Sequence, residues 1–90
     1  MKTIRASIIG FGVVGKGFAR ALLANRETLH GLGLEVKVIA IADLPGSIIA
    51  EKGIDLEKVL EEGFSPNSKL KALEMINNLK ADVMVEAFPV

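Results

Sequence analysis

The chain predicts an α/β fold: a parallel sheet with helices on both faces, incomplete, with about three main strands. Three observations predict it. Residues 3–9 form a β-branched, apolar run that reads as a buried strand, and residues 36–42 a near-continuous apolar one, the pattern of a parallel strand covered on both faces. A glycine-rich turn joins the first run to a stretch with helical period. The order strand, helix, strand, helix, strand then calls for right-handed crossovers and a parallel sheet.

Residues 3–9 read as the first strand, ending at Gly10-Phe11-Gly12-Val13-Val14-Gly15-Lys16-Gly17. Gly10, Gly12 and Gly15 stand at a strand-to-helix turn, where the dinucleotide-binding fingerprint needs them. Gly10 takes the tight turn, Gly12 admits a pyrophosphate close to the backbone, and Gly15 lets helix and strand pack closely. The pyrophosphate then lies on the free amides and positive dipole end of the helix. This context makes the predicted sheet Rossmann-like.

The following helix runs from about residue 13 to about 25 or a little beyond, with Val14, Phe18, Ala21 and Leu22 on one apolar face. Gly17 inside it costs roughly 1 kcal/mol against alanine. His30-Gly31-Leu32-Gly33 breaks the helix, and residues 36–42, apolar except for Lys37, form the second strand. That strand ends at Asp43, followed by the turn residues Leu44-Pro45-Gly46. Residues 47–66 are less decisive. Residues 55–62 suit a short helix with Asp55 as N-cap and Leu56, Val59 and Leu60 on one face, ended by Gly63. Ser68 can cap a further helix through about residue 79, with Leu70, Leu73, Ile76 and Leu79 spaced for burial. Residues 83–87 form the third strand, stopped by Pro89. By analogy with doubly wound sheets it lies beside the first strand, opposite the second, placing a ligand-binding switch point between them.

Half of the residues are apolar and the mean hydropathy is +0.42, high for so short a chain. A domain of this size hides only roughly two-thirds of its unfolded surface. Residues 1–90 are therefore expected to be the N-terminal part of a dinucleotide-binding domain, with a substrate domain absent. Eleven basic and eleven acidic residues cancel, leaving no basic footprint for nucleic acid or an anionic membrane. Without cysteine there is no disulfide or thiolate metal site, and His30 is the single histidine. Lys2 and Arg5 precede an apolar run, but its glycines and missing cleavage site argue against a targeting signal, and no run approaches the ~20 residues of a membrane span. The expected location is the cytoplasm.

Asp43 ends the second strand, where a carboxylate accepts both adenosine-ribose hydroxyls. A turn cap before Leu44-Pro45 is the plainer role. Its distance from Gly15 exceeds the ~20 residues usual for this fingerprint, the excess falling in the helix end and the loop that follows. A carboxylate repels a 2′-phosphate, and no arginine follows Asp43, so NAD is expected in preference to NADP. Lys16 could reach a phosphate as a point charge, though a solvated surface lysine is the favoured reading, and Glu86 ends a strand near the cleft. His30 fits a helix C-terminal turn, Glu57, Glu61 and Glu62 a solvated face, and Met75 and Met84 core filling. No Ser/His/Asp set, metal cluster or acid–base pair stands out, so no catalytic residue is assigned.

The string from Ile9 to Phe18, with Val38-Ile39-Ala40-Ile41-Ala42-Asp43 and Ala81-Asp82-Val83-Met84-Val85-Glu86-Ala87, resembles homoserine dehydrogenase. The resemblance covers essentially the whole chain but only the N-terminal part of such an enzyme. It implies an NAD(P)-dependent oxidoreductase interconverting L-homoserine and L-aspartate 4-semialdehyde on the way to threonine and methionine. It also implies that the backbone of Phe11, Gly12, Val13 and Val14 holds the pyrophosphate, that Asp43 lies by the adenosine ribose, and that Ala87, Phe88 and Pro89 border the nicotinamide ribose. The family's catalytic lysine, acidic substrate ligands and oligomerising substrate domain come later in sequence, so the intact enzyme is expected to be a homo-oligomer and the chain alone inactive. Two departures stand out. Leu44-Pro45 replaces the family's Ser-Arg pair, and Phe88 and Val90 replace two threonines. A nucleotide-sensing regulatory domain and another semialdehyde or sugar dehydrogenase are the competing readings.

Overall fold

The computed structural model describes residues 1–68 and 81–87. β1 (Lys2–Ile9) leads through the glycine turn into α1 (Val13–Ala24), and α2 (Arg26–Gly31) follows after one residue. Next come β2 (Leu34–Asp43), β3 (Gly46–Ile49), α3 (Leu56–Glu62) and β4 (Val83–Glu86). The sheet order is β3-β2-β1-β4. β2 and β4 both pair with β1 in parallel, on opposite sides, as expected from the sequence.

The three parallel strands expected from the sequence are present, and β3 adds a fourth, antiparallel one. It pairs antiparallel with β2 through a tight return at Leu44-Pro45, from Asp43↔Gly46 to Ala40↔Ile49. Gly46, at φ +143°, takes a backbone conformation that side chains rarely adopt. Four residues are too short a run for a periodic signal, and the Leu-Pro-Gly turn masks the strand behind it. The outer edge of β3 is closed by residues 67–68. Asn67 acts there like a strand residue, its Oδ1 accepting from the Ile49 amide at 2.9 Å and its Nδ2 donating to the Ile49 carbonyl at 3.1 Å.

β2 carries a bulge. Ala6 pairs with Val38 and Ser7 with Ala40, so Ile39 is an extra residue. The alternation therefore slips by one. Val38 and Ile41 face the same core as Ile8, Phe11, Ala19 and Leu56, while Ile39, Ala40 and Ala42 pack with Ile49 and Ala81 on the other side. The slip also brings Asp43, two residues after Ile41, into phase with the side that carries the glycine turn.

Among the described residues, α1 and α3 lie together on the first face, through Phe18, Leu22, Leu23, Val59 and Leu60. The helix expected after Ser68, with Met75 as core filling, falls outside the described residues. The buried side of α1 is also rotated from the expected one. Gly15 and Ala19 are buried while Val14 and Ala21 are exposed, because the close strand contact at Gly15 sets the phase. Asp55 caps α3 as expected, its Oδ1 accepting from the Lys58 amide, and Gly63, at φ +91°, ends it. The helix breaker expected at residues 30–33 acts there, since α2 ends at Gly31 and Gly33 follows with φ +79°. Met84, expected as core filling, is 41% exposed, because β4 lies at the sheet edge. Ser7 is a buried exception, its Oγ without a hydrogen-bond partner among the described residues, which costs roughly 1–3 kcal/mol.

Candidate functional site

The parallel ladder between β1 and β2 ends at Ile9↔Ala42, and the chain leaves it at Gly10 with φ +92°, a turn that favours glycine. The Gly10 amide donates to the Ala42 carbonyl at 2.7 Å, and the Phe11 amide donates to Asp43 Oδ2 at 3.1 Å. The other carboxylate oxygen, Oδ1, accepts from the Leu44 amide at 2.8 Å. The end of β2 is thus tied to the turn by one backbone and one side-chain bond. The Phe11 side chain points the other way, into the core, 3% exposed, with its ring 6.0 Å from that of Phe64.

Gly15 sits where α1 crosses the end of β1. A Cβ there would fall on the Gly10 carbonyl oxygen and reach Ile8 Cγ2 at 3.4 Å. At Gly12 a Cβ would meet nothing within 4 Å. One glycine is required by contact inside the protein, the other opens onto empty space.

Gly12 is the N-cap of α1 and has no side chain to close the helix end. The first intrahelical bond there runs from the Lys16 amide to the Gly12 carbonyl. The amides of Gly12, Val13 and Val14 have no hydrogen-bond partner among the described residues, and the first turn carries no acidic residue. Three free N–H groups at the positive end of a twelve-residue helix, beside a glycine that leaves room, fit a pyrophosphate. Phe11, grouped with them at the sequence level, differs: its amide is already bonded to Asp43, so it shapes the turn instead of offering a free donor.

Val13 and Val14, which carry two of the free amides, are 89% and 66% exposed, and Leu44, next to Asp43, is 88% exposed. Ala87 stands across the switch point, its amide donating to the Ile9 carbonyl at 2.7 Å. Glu86, opposite Ile9 in the ladder, is exposed. Phe88 and Pro89 lie outside the described residues. Lys16, in the first turn of α1, holds its Nζ 6.0 Å from the centre of the Phe11 ring, at the outer reach of a cation–π contact.

The other polar features lie elsewhere. His30 and Lys37 flank Glu35, at 3.9 and 3.3 Å, near the start of β2 and so at the opposite end of that strand from Asp43. Concavities of about 600 and 530 Å³ flank α3, and neither is lined by the glycine turn. Among the described residues no group of three His, Asp or Glu side chains could hold a metal ion. No helix among them is long and apolar enough to cross a membrane.

No protein-family model matches the chain. In sequence it is 36% identical over 91 aligned residues to the homoserine dehydrogenase of Methanocaldococcus jannaschii, a match covering 91% of this chain and 27% of that enzyme. In structure it is similar to a candidate homoserine dehydrogenase from Archaeoglobus fulgidus, with a TM-score of 0.77 at 30% identity over 93% of this chain and 27% of that one. A hyperthermophilic archaeal homoserine dehydrogenase mutant in complex with NADPH superposes with a TM-score of 0.75 at 25% identity, over 94% of this chain and 28% of that one. The chain spans about a quarter of the length of the relatives it matches.

Proposed function

From a chain that matches about a quarter of homoserine dehydrogenases in sequence and in fold, we infer that residues 1–90 are the N-terminal NAD(P)-binding segment of such an enzyme. The intact enzyme interconverts L-homoserine and L-aspartate 4-semialdehyde, as a homo-oligomer in the cytoplasm. The observation that carries this reading is the free helix end: unbonded amides at Gly12, Val13 and Val14 over the space that Gly12 leaves.

Each part of the site has a task in that reading. The amides of Gly12, Val13 and Val14 hold the pyrophosphate, and Gly15 keeps α1 close enough to β1 to aim them. Asp43 accepts the adenosine-ribose hydroxyls. Each of its oxygens bonds one backbone amide and retains a further lone pair. Ala87, with Phe88 and Pro89, borders the nicotinamide ribose at the switch point. The bound cofactor supplies hydride transfer, while this segment binds and orients it. Catalytic residues belong to the substrate domain, so the chain alone has no turnover.

NAD is the preferred form in this proposal, because Asp43 repels a 2′-phosphate and Leu44-Pro45 offers no cation in its place. The test is a fluorescence titration of the 90-residue chain with NADH and with NADPH. Tighter binding of NADH is expected. A smaller dissociation constant for NADPH, the form held by the archaeal neighbour, overturns the preference, and no binding of either overturns the cofactor reading.

A further inference from the structure

We propose that Asp43 is a positioning residue for the pyrophosphate turn, over and above its contact with the ribose. This inference rests on the cofactor reading above. One carboxylate holds two backbone segments at once, the Phe11 amide through Oδ2 at 3.1 Å and the Leu44 amide through Oδ1 at 2.8 Å. The Leu44 bond fixes the rotation of the carboxylate, and the Phe11 bond transmits that fixed position to the turn.

The Phe11 peptide unit is held from both sides. Its side chain is packed in the core against Phe64, and its N–H is drawn toward β2 by Asp43. The next three residues, Gly12 to Val14, present the free amides. Gly12 has no side chain to restrain its own conformation. Its orientation is therefore set by the fixed residue before it and by the first helical turn after it. Without the Asp43 bond, the Gly10–Phe11 peptide loses its anchor to β2, and with it the position from which the next residue presents the first phosphate-facing amide. The bulge at Ile39 belongs to the same device, because it puts Asp43 in phase with the turn.

A carboxylate that only reads the ribose predicts something different. Its loss would weaken NADH and leave a ligand without the ribose hydroxyls untouched. The experiment compares the unsubstituted chain, Asp43→Ala and Asp43→Asn in binding NADH and its 2′,3′-dideoxyadenosine analogue, together with amide hydrogen exchange at Phe11 and Gly12 without ligand. Asparagine keeps an oxygen that accepts from the Phe11 amide but loses the charge. We expect Asp43→Ala to weaken the dideoxy analogue by about tenfold, the worth of one charge-assisted hydrogen bond. Exchange at Phe11 should rise in the same variant, and Asp43→Asn, which keeps one accepting oxygen but loses the second and the charge, should recover part of each. Equal analogue binding by the unsubstituted chain and Asp43→Ala overturns the positioning role alone. If the unsubstituted chain binds neither ligand while the exchange contrast persists, the cofactor reading falls and this inference falls with it.

Discussion

Gly15 and Gly12 share a motif but answer to different neighbours. At Gly15 a methyl group would occupy the place of the Gly10 carbonyl oxygen, which cannot yield without breaking the turn. Overpacking of this kind costs typically ~1–3 kcal/mol. Gly15→Ala is expected to lose about that much in a urea unfolding titration, while Gly12→Ala, whose Cβ meets nothing within 4 Å, should unfold nearly unchanged and lose dinucleotide binding. An unfolding midpoint shifted as much by Gly12→Ala as by Gly15→Ala would contradict this division. The spacing of the three glycines and the acid closing β2 are legible in the sequence, because each follows from a local steric or charge requirement. That Phe11 gives its amide to Asp43 is not. The bond joins residues 32 positions apart and depends on a bulge, and a bulge in an all-apolar run leaves no trace in the pattern.

At the scale of elements, long strands and capped helices could be read from period and turn chemistry, and what escaped was short or rotated. α3 begins and ends where Asp55 and Gly63 place it. Of the expected face of α1, Phe18 and Leu22 pack while Val14 and Ala21 do not, because valine and alanine suit either side and a tertiary contact at Gly15 sets the phase. β3 escaped because four residues cannot show a period, and its outer edge is held by partners about twenty residues further along the chain. Asn67 supplies two of those partners, pairing both backbone groups of Ile49. Asn67→Ala should therefore free the Ile49 amide, raising its hydrogen-exchange rate about tenfold, with a loss of about 1 kcal/mol softened by the exposure of the site. Unchanged protection at Ile49 would show that the backbone bridge between Ser47 and Ser68 holds the edge alone.

For the whole molecule, the two ends of the sheet are finished differently. The β3 edge is covered by residues 67–68, whereas β4 pairs on one side with β1 and carries no further strand among the described residues. Val83 and Met84 on that strand are 47% and 41% exposed, and Val13 and Val14 add apolar surface at the glycine turn. An unpaired apolar edge is a template for another strand. Zero formal net charge removes the repulsion that would keep copies apart. The excess of apolar residues in the composition already pointed to surface needing cover, and the structure shows where much of it lies. The 90-residue chain by itself should accordingly associate as its concentration rises, and Met84→Lys, which places a charge on the edge without touching the buried core, should shift it toward monomer. Sedimentation equilibrium over a hundredfold range of concentration reads this directly. A chain that stays monomeric throughout, or a Met84→Lys variant that associates equally, would mean that the β4 edge does not drive association.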